Sequence, residues 1–396
     1  MKFKLAALTS HPIQYQAPLF RKLAKHPDIE LTVYFCLDFG VEKEAYDAGF
    51  GKKIKWDIPL FDGYSYQFLP NLSPTKTIGF FGQINPSIIK ELRDNHFDAI
   101  WVHGYASMTN WLSFAGAWMS KTPIIMRGES HLLNYRPLRK RAFKRIALTF
   151  LFEKVAAFLP IGTLNTEYYK YYGVPDNKMF LTPYCVDNDF FSKKYNDLMP
   201  LRNEIKKKLG LQPEVPVILY ASKMMPRKRA IDLLKAYEKI KNQINAAVVF
   251  VGDGAERPLL EAYQRDHLLK NIYFVGFKNQ TELPEYFSIA DIFVLPSTDE
   301  PWGLIINEAM NFRLPIITTD QVGAAPDLVK DGENGFIYPV GDIEKLPDCL
   351  LKLLRDSELR AKMGKRSLEI IHKWSYTEDI EGILTALEYI KIRKDQ

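Results

Sequence analysis

Residues 292–310 read IFVLPSTDEPWGLIINEAM, and this stretch decides the fold. Its four apolar residues Ile292–Leu295 are typical of a fully buried strand. A polar loop that begins with Pro296 follows, and Leu304–Asn311 then carry apolar residues at helical spacing. A buried strand, a short loop and a helix are the repeating unit of a parallel sheet that is covered by helices.

The same alternation of short apolar runs and amphipathic stretches continues on both sides of this unit. In the N-terminal half we predict strands at Lys4–Leu8, Leu31–Phe35, Ala99–Val102, Pro123–Met126, Ala157–Ile161 and Met179–Thr182. In the C-terminal half we predict further strands at Val217–Tyr220, Ala247–Val251, Ile272–Val275, Ile316–Thr319 and Gly335–Tyr338. The sequence therefore predicts an α/β protein with two Rossmann-like, doubly wound parallel-sheet domains that face a cleft.

The polar stretch Asp187–Pro200 predicts the linker between the two domains. We assign residues 1–195 to an N-terminal domain and residues 196–374 to a C-terminal domain. The last helix, residues 375–396, is expected to pack back on the N-terminal domain.

The composition places the chain among ordinary globular proteins. It has 396 residues, of which 47 % are hydrophobic and 25 % charged, so a disordered or collagen-like chain is excluded. No apolar run reaches the roughly 18 residues that a membrane-spanning helix needs, and residues 1–10 do not resemble a signal peptide. The three scattered cysteines show neither metal spacing nor a disulfide framework, which favours the cytoplasm.

The net charge of +6 comes from one local patch. Residues 130–152 contain six basic residues and no acidic one, and the remaining charges balance. The predicted helix Pro137–Val155 is therefore basic and amphipathic, and its cations could face an anionic membrane surface. A packed helix with a solvated basic side is the alternative. A nucleic-acid surface is not predicted, because the rest of the chain is not basic. The candidate membrane cations are Arg139, Lys140, Arg141, Lys144 and Arg145.

The stretch Glu300–Glu308 carries two carboxylates around the start of the predicted helix. Free backbone N–H groups and the positive end of the helix dipole make such a start a phosphate site. Gly303 lets a ligand approach the backbone closely. Glu300 and Glu308 can then face groups on either side of the phosphate. Taken alone, the pattern fits a phosphate site no better than it fits two ordinary residues, an acidic residue at a helix start and a solvated glutamate within the helix.

Two further loops follow predicted strands. Ala221–Arg229 places Lys223, Lys228 and two arginines after a strand, which suits a diphosphate, although a solvated basic loop is the alternative. Val251–Arg257 contains Gly-Asp-Gly before a helix. It lacks the third glycine of a dinucleotide-binding loop, so we interpret it as a tight turn that lines a base or a ribose.

In this order and spacing, the three motifs resemble the C-terminal half of the family-4 glycosyltransferases. The stretches Val322–Asp327 and Asp331–Gly335 extend the resemblance, which covers most of Val217–Gly341. It implies the GT-B fold and a retaining transfer of a sugar from a nucleotide-sugar, with no cofactor and no required metal. The C-terminal domain would bind the nucleotide-sugar, and the N-terminal domain would bind the acceptor.

The resemblance also implies roles for single residues. Glu308 would bind the nucleotide ribose, and Glu300 would hold the donor sugar near its reacting carbon. Lys223 and Lys228 would bind the diphosphate, although many relatives have Arg at the position of Lys223. Together with Glu300, these two lysines are candidate catalytic residues. Other donor contacts are expected at Gly303, Leu304, Trp302, Gly252, Phe277 and Arg229.

The N-terminal half departs further from the family pattern. Ser10–Gln16 follows the first strand in place of a Gly-Gly loop. Arg127–His131 lies where relatives often carry a histidine at the catalytic site, so Glu129 becomes a fourth candidate catalytic residue. For each histidine, a structural role is the alternative. Candidate residues for the acceptor or the cleft are His11, Gln14, His103 and Arg127.

These observations predict a metal-independent, hexosyltransferase-type enzyme in the cytoplasm or on the inner face of the cell membrane. The acceptor would be a glycan or a lipid-linked sugar in cell-envelope or exopolysaccharide synthesis. Asp187 and Asp189 do not form a metal motif in this interpretation. A sugar-nucleotide epimerase on the same fold stays open, and so does a non-catalytic protein that binds sugar-nucleotides or glycans.

Overall fold

The computed structural model describes residues 2–39, 45–47, 49–133 and 138–394, with the backbone alone described for Ala45 and residues 138–143. The chain forms two compact units. Unit 1 contains Met1–Ala45, Ile58–Tyr184 and Tyr376–Gln396. Unit 2 contains Tyr46–Asp57 and Cys185–Ser375. The division thus falls after Tyr184, before the position proposed from the sequence, and twelve residues from the N-terminal half belong to unit 2.

Each unit contains a parallel sheet. The strands of unit 1 are β1 (Phe3–Thr9), β2 (Ile29–Phe35), β3 (Ser65–Phe68), β4 (Ala99–His103), β5 (Ile124–Arg127) and β6 (Ala157–Phe158). The strands of unit 2 are β7 (Val217–Ala221), β8 (Ala247–Val251), β9 (Ile272–Gly276), β10 (Ile292–Leu295), β11 (Ile316–Thr319) and β12 (Gly335–Tyr338). A separate two-stranded sheet pairs Ala45–Asp47 with Lys52–Ile54.

Helices connect the strands and cover the sheets. In the N-terminal half they are α1 (Ala17–Ala24), α2 (Ser87–Asn95), α3 (Met108–Ser120), α4 (Leu138–Glu153) and α5 (Thr163–Tyr171). In the C-terminal half they are α6 (Asn188–Leu198), α7 (Arg202–Lys208), α8 (Ala230–Ile240), α9 (Arg257–Asp266), α10 (Leu283–Ile289), α11 (Ile305–Asn311), α12 (Ala325–Leu328), α13 (Lys345–Arg355), α14 (Ser357–Ile371) and α15 (Tyr376–Lys394). Within the described ranges, no helix has the length and apolarity needed to cross a membrane.

The two sheets have the same strand order. It is β3-β2-β1-β4-β5-β6 in unit 1 and β9-β8-β7-β10-β11-β12 in unit 2. In unit 1, Ala7 of the first strand pairs with Val33 and Trp101. In unit 2, Leu219 pairs with Val249 and Phe293. Because the order reverses between the first and fourth strands, a crevice forms outside their carboxyl ends, where such sheets bind ligands.

The central strands are apolar and buried, so each sheet lies in the core of its unit. Every residue of β7 (VILYA) and of β8 (AVVFV) is buried, as a parallel sheet covered on both faces requires. α8 buries Leu233, Leu234 and Tyr237 against this sheet. The predicted fold class, an α/β protein with two Rossmann-like units, is therefore confirmed.

Three local features differ from what we expected from the sequence. The predicted linker Asp187–Pro200 is mostly helical, because Asp187 accepts a hydrogen bond from the backbone N–H of Phe190 and thereby caps α6. The predicted strand Met179–Thr182 is reduced to a single bridge between Phe158 and Met179. The short strand β3 was missed, since three of its four side chains are exposed and the strand carries no apolar run.

Candidate functional site

In unit 2, the loops that follow the first and fourth strands meet at the point where the strand order reverses. β7 ends at Ala221, and β10, its neighbour in the sheet, ends at Leu295. Parallel strands end at the same edge of a sheet, so the following loops bring Lys223, Lys228 and Glu300 to that edge.

Lys228 and Glu300 form a buried ion pair at this edge. The Lys228 ammonium contacts Glu300 Oε2 directly, and both side chains are 9 % exposed. Arg227 Nη1 lies 3.5 Å from the same oxygen. Burial lowers the pKa of Lys228 below its usual value, although the negative charge of Glu300 opposes that shift. Two of the candidate catalytic residues are thus held together by charge in a water-poor site.

Lys223 is held by a residue that we did not predict. Its Nζ donates to both carboxylate oxygens of Asp47, each at 2.9 Å. Burial raises the pKa of Asp47, but the hydrogen bond and charge of Lys223 outweigh burial, so the pKa lies below its usual value. No sequence signal identified Asp47, because it lies far from Lys223 in the chain and outside any motif.

The second carboxylate and the glycine of the motif lie at α11. Glu308 belongs to its first turn and is 1 % exposed. Gly303 has a φ of 95°, and a Cβ there would lie 3.1 Å from Leu295 Cδ2. A side chain at residue 303 would therefore be strained, and glycine permits the turn that leads from Glu300 into Leu304 and α11.

Several expected donor contacts have structural roles. The Trp302 indole donates to Asn307 Oδ1 at 3.0 Å and lies 5.3 Å from the Trp374 ring. Trp302 is 3 % exposed, so its side chain packs inside unit 2. Gly252 has a φ of 128°, and a Cβ there would lie 2.0 Å from the Ser222 carbonyl oxygen. Its lack of a side chain thus permits the close approach of two loops.

The other two expected donor contacts are side chains with partners inside unit 2. Arg229 Nε donates to Asp232 Oδ2 at 2.6 Å. The Phe277 ring lies 4.7 Å from the Phe50 ring, edge to face. Phe50 was not predicted as a site residue, and it comes from the same segment as Asp47.

The corresponding edge of unit 1 carries neutral polar groups. His103 ends β4, and Gln16 Nε2 lies 3.3 Å from its Nδ1. Burial, together with the positive charge of Arg127, lowers the pKa of His103 to about 3. The imidazole is therefore neutral at neutral pH. Among the described residues, the buried atoms His103 Nε2 and Gln14 Oε1 have no hydrogen-bond partner.

His11 follows β1 and packs locally. Its Nδ1 lies 2.8 Å from Ser10 Oγ, and its ring contacts Phe39 edge to face at 5.6 Å. The structure places His11 near the carboxyl end of the first strand, as the sequence predicts.

Arg127 is buried, contrary to the cleft contact that we expected. It is 4 % exposed, and two of its nitrogens donate to the carboxylate of Asp379 in α15 at 3.1 and 2.9 Å. It also donates to the Thr182 carbonyl at 3.2 Å. Arg127 therefore ties the last helix to β5 in unit 1, and Asp379 is the partner that sequence reasoning missed.

Glu129 lies just after β5 and accepts a hydrogen bond from the Tyr184 hydroxyl at 2.7 Å. Burial and the charge of Glu129 raise the pKa of Tyr184 well above its usual value. One hydrogen-bond partner of Glu129, a candidate catalytic residue, is therefore a tyrosine of the same unit.

Helix α4, which we predicted to be basic and amphipathic, exposes part of its apolar face. Ile146 is 74 % exposed and Phe150 is 61 % exposed, whereas Leu148 and Leu151 are buried. Lys144 Nζ lies 5.0 Å from the centre of the Tyr168 ring, and the Arg145 guanidinium lies 5.3 Å from that of Tyr171. The side chains of Arg139, Lys140 and Arg141 lie outside the part of the chain that the structure describes.

Comparison with known proteins supports the interpretation of unit 2. Residues 202–369 match the family "Glycosyl transferases group 1". N-acetyl-alpha-D-glucosaminyl L-malate synthase of Bacillus anthracis is 29 % identical over 194 residues, which are 49 % of this chain and 50 % of that protein. The chain thus spans about half the length of this curated relative.

Solved structures match over nearly the whole chain. A glycosyltransferase from Rickettsia africae has a TM-score of 0.76 at 14 % identity, covering 98 % of each chain. Anabaena Alr3699/HepE in complex with UDP has a TM-score of 0.73 at 16 % identity, covering 98 % of this chain and all of that one. At these identities the likeness shows the fold alone. The resemblance seen in the sequence is confirmed: residues 202–369 form a domain of the glycosyl transferases group 1 family, in a chain with the GT-B fold.

Proposed function

We propose that this protein is a retaining, metal-independent glycosyltransferase. It would move a hexose-type sugar from a nucleotide-sugar to a glycan or lipid-linked acceptor, in cell-envelope or exopolysaccharide synthesis. The observation that carries the proposal is the convergence of Lys223, Lys228 and Glu300 at the switch point of unit 2. UDP in the Anabaena structure supports a nucleotide ligand.

The chemistry needs positive charge at the leaving group. When the bond between the sugar carbon and the diphosphate oxygen breaks, negative charge grows on the diphosphate. An acceptor hydroxyl forms the new bond to carbon on the same face and passes its proton to the leaving diphosphate. The ammonium groups of Lys223 and Lys228 would stabilise that charge. Lys228 is positioned by Glu300 before the substrate arrives, and such preorganised charge is worth several kcal/mol in a transition state.

The acceptor would contact unit 1. Buried polar atoms normally have hydrogen-bond partners, and His103 Nε2 and Gln14 Oε1 have none within the described ranges. Gln14 follows β1 and His103 is the last residue of β4, the two strands that flank the switch point of that sheet. Sugar hydroxyls both donate and accept hydrogen bonds, so a glycan acceptor could satisfy both atoms.

The exposed face of α4 supports a contact with an anionic membrane surface on the cytoplasmic side. Ile146 and Phe150 lie one helical turn apart and are largely exposed, and Arg145 beside them is exposed as well. An exposed apolar stripe next to cations is typical of helices that lie in a membrane interface. This contact would bring a lipid-linked acceptor to the enzyme.

The nucleotide site is tested by thermal unfolding with UDP, GDP, ADP and NAD, each with and without EDTA. A nucleoside diphosphate at 100 times its Kd should stabilise the protein by about 2.7 kcal/mol. We expect one diphosphate to do so with EDTA present. A response to NAD alone, or a response that EDTA abolishes, would contradict the proposal.

Turnover separates the proposed enzyme from its alternatives. We expect nucleotide release from the matching nucleotide-sugar only when an acceptor is present, and a product whose anomeric configuration, read by NMR, equals that of the donor. Donor conversion without an acceptor would indicate an epimerase or a hydrolase. Binding without turnover would indicate a non-catalytic protein.

The membrane contact is tested by sedimentation with phospholipid vesicles. The double variant Ile146→Gln and Phe150→Gln should lose binding to anionic vesicles while its melting temperature stays unchanged. The control is Leu259→Gln, a change of an exposed leucine in unit 2 that should leave vesicle binding intact. Equal binding by the double variant would overturn this part of the proposal.

A further inference from the structure

Residues 46–57, here called the 46–57 segment, belong to unit 2 although their neighbours in sequence belong to unit 1. The segment is anchored at its far end, where Asp57 Oδ2 accepts from the Thr281 backbone N–H at 3.0 Å. Asn279 also donates to the Lys55 carbonyl at 2.7 Å. These contacts hold the segment on the loop that follows β9.

The middle of the segment contacts one more loop, which follows β8, and the start of the loop that follows β9. Lys52 Nζ lies 2.9 Å from Asp253 Oδ2, in the Gly-Asp-Gly turn. Phe50 packs edge to face on Phe277 at 4.7 Å. Together with its contact to Lys223 after β7, the segment therefore lies across three loops at the carboxyl edge of the unit 2 sheet.

Its first residues enclose the Lys223 ammonium. Besides the two contacts from Asp47, the Lys223 Nζ lies 4.8 Å from the centre of the Phe50 ring. A Cβ on Gly49 would come within 2.6 Å of Lys223 Cδ, so the backbone of the segment also lies against this side chain. An ammonium has three donors, and the carboxylate of Asp47 accepts from it with both oxygens.

Asp47 is held in this position by the turn that it makes. Its Oδ1 accepts from the backbone N–H groups of Gly49 and Phe50 at 2.8 and 3.0 Å. These bonds fix the carboxylate, whose side chain is 15 % exposed, against Lys223. The same turn hydrogen bonds therefore position the Asp47 carboxylate beside Lys223.

We infer that Asp47 occupies the position at Lys223 that a donor diphosphate would take, so that the 46–57 segment is an autoinhibitory contact which the nucleotide must displace. The inference rests on the proposed function, which assigns Lys223 to the diphosphate. Two anions cannot share one ammonium without mutual repulsion, so binding of the nucleotide and the Asp47–Lys223 pair exclude each other.

The test measures the Kd of UDP, GDP and ADP by calorimetry for the wild-type chain and for Asp47→Asn. Asparagine keeps an oxygen for the two turn hydrogen bonds and removes the competing charge. We expect Asp47→Asn to bind the recognised diphosphate about three- to tenfold more tightly, the effect of losing one partly buried opposing charge. Glu333→Gln removes a carboxylate of unit 2 that lies outside the segment, in an exposed pair with Arg366, and should leave the Kd unchanged.

Each outcome has a distinct meaning. An unchanged or weaker affinity in a folded Asp47→Asn chain would show that Asp47 positions Lys223, and the inference would fail while the proposed function stands. Failure of all three diphosphates to bind either chain would overturn the proposed function as well. As a second measurement, Asp47→Asn should give no gain in a Lys223→Gln background, because the competition needs the ammonium.

Discussion

The two units have the same strand order, yet the ends of their first and fourth strands carry different chemistry. In unit 2, Lys223 and Lys228 reach this edge, and each is paired with a carboxylate. In unit 1 the same edge carries the neutral side chains of Gln14 and His103. Topology determines where loops meet, and the residues in those loops determine what can bind there.

Arg127 illustrates this difference between the two units. Arg127 ends β5 and would add positive charge to its edge of the sheet, but Asp379 neutralises it in the interior. In unit 2, Lys228 is neutralised by Glu300, which lies in a loop at the site itself. One buried ion pair therefore stabilises the fold, whereas the other lies where we propose that the nucleotide-sugar binds.

Removing Glu300 should have the largest effect on this comparison. We expect Glu300→Ala to lower transfer by at least about 100-fold. It should also lower the free energy of unfolding by about 3–5 kcal/mol, because Lys228 then stays buried without its main partner. Nucleotide binding should be largely spared. Initial rates, denaturant unfolding and calorimetry measure the three quantities.

The control for this variant is Glu333→Gln, which removes a carboxylate of unit 2 from an exposed pair with Arg366. It should change stability by less than about 1 kcal/mol and leave transfer intact. Full transfer activity in Glu300→Ala would contradict the role that we give to Glu300.

The matching change in unit 1 is Asp379→Asn. It removes the charge of Asp379 from its pair with the buried Arg127 guanidinium, so we expect a loss of about 3 kcal/mol in the free energy of unfolding. The Kd for the nucleoside diphosphate should not change, because the pair lies in unit 1. Glu381→Gln, an exposed change in the same helix, is the control for stability. A weaker nucleotide affinity in folded Asp379→Asn would break the distinction between the two ion pairs.

The smallest of these effects is the pH dependence that His103 confers on stability. Its pKa is about 3 in the folded chain against 6.5 for the free side chain, so between these values only the unfolded chain binds the proton. The free energy of unfolding should therefore fall by about 2 kcal/mol as the pH drops from about 7 to 5.

The variant His103→Gln should lose that part of the pH dependence while keeping a polar side chain beside Gln16. Urea unfolding at the two pH values measures the difference between the chains. Equal changes with pH in His103→Gln and wild type would contradict the burial of a neutral imidazole.

Much of the fold could be predicted from the sequence because its signals are local. The apolar runs of β7 and β8 and the helical spacing after Gly303 identify strands and helices over a few residues. The resemblance of the motifs around Lys223 and Glu300 identified the family for the same reason. Short, polar strands such as β3 carry no such signal. The segment that we predicted as a linker forms helix α6, whose N-terminus is capped by Asp187.

The sequence by itself determined the α/β class, the resemblance of its C-terminal half to a glycosyltransferase family, and the two loops that carry Lys228 and Glu300, because each depends on residues close together in the chain. Only the tertiary structure decided the partners. Asp47 reaches Lys223 across 176 residues, and Asp379 reaches Arg127 across 252. Such pairs depend on how folded elements pack in three dimensions, and the spacing of residues along the chain does not show which side chain will contact which.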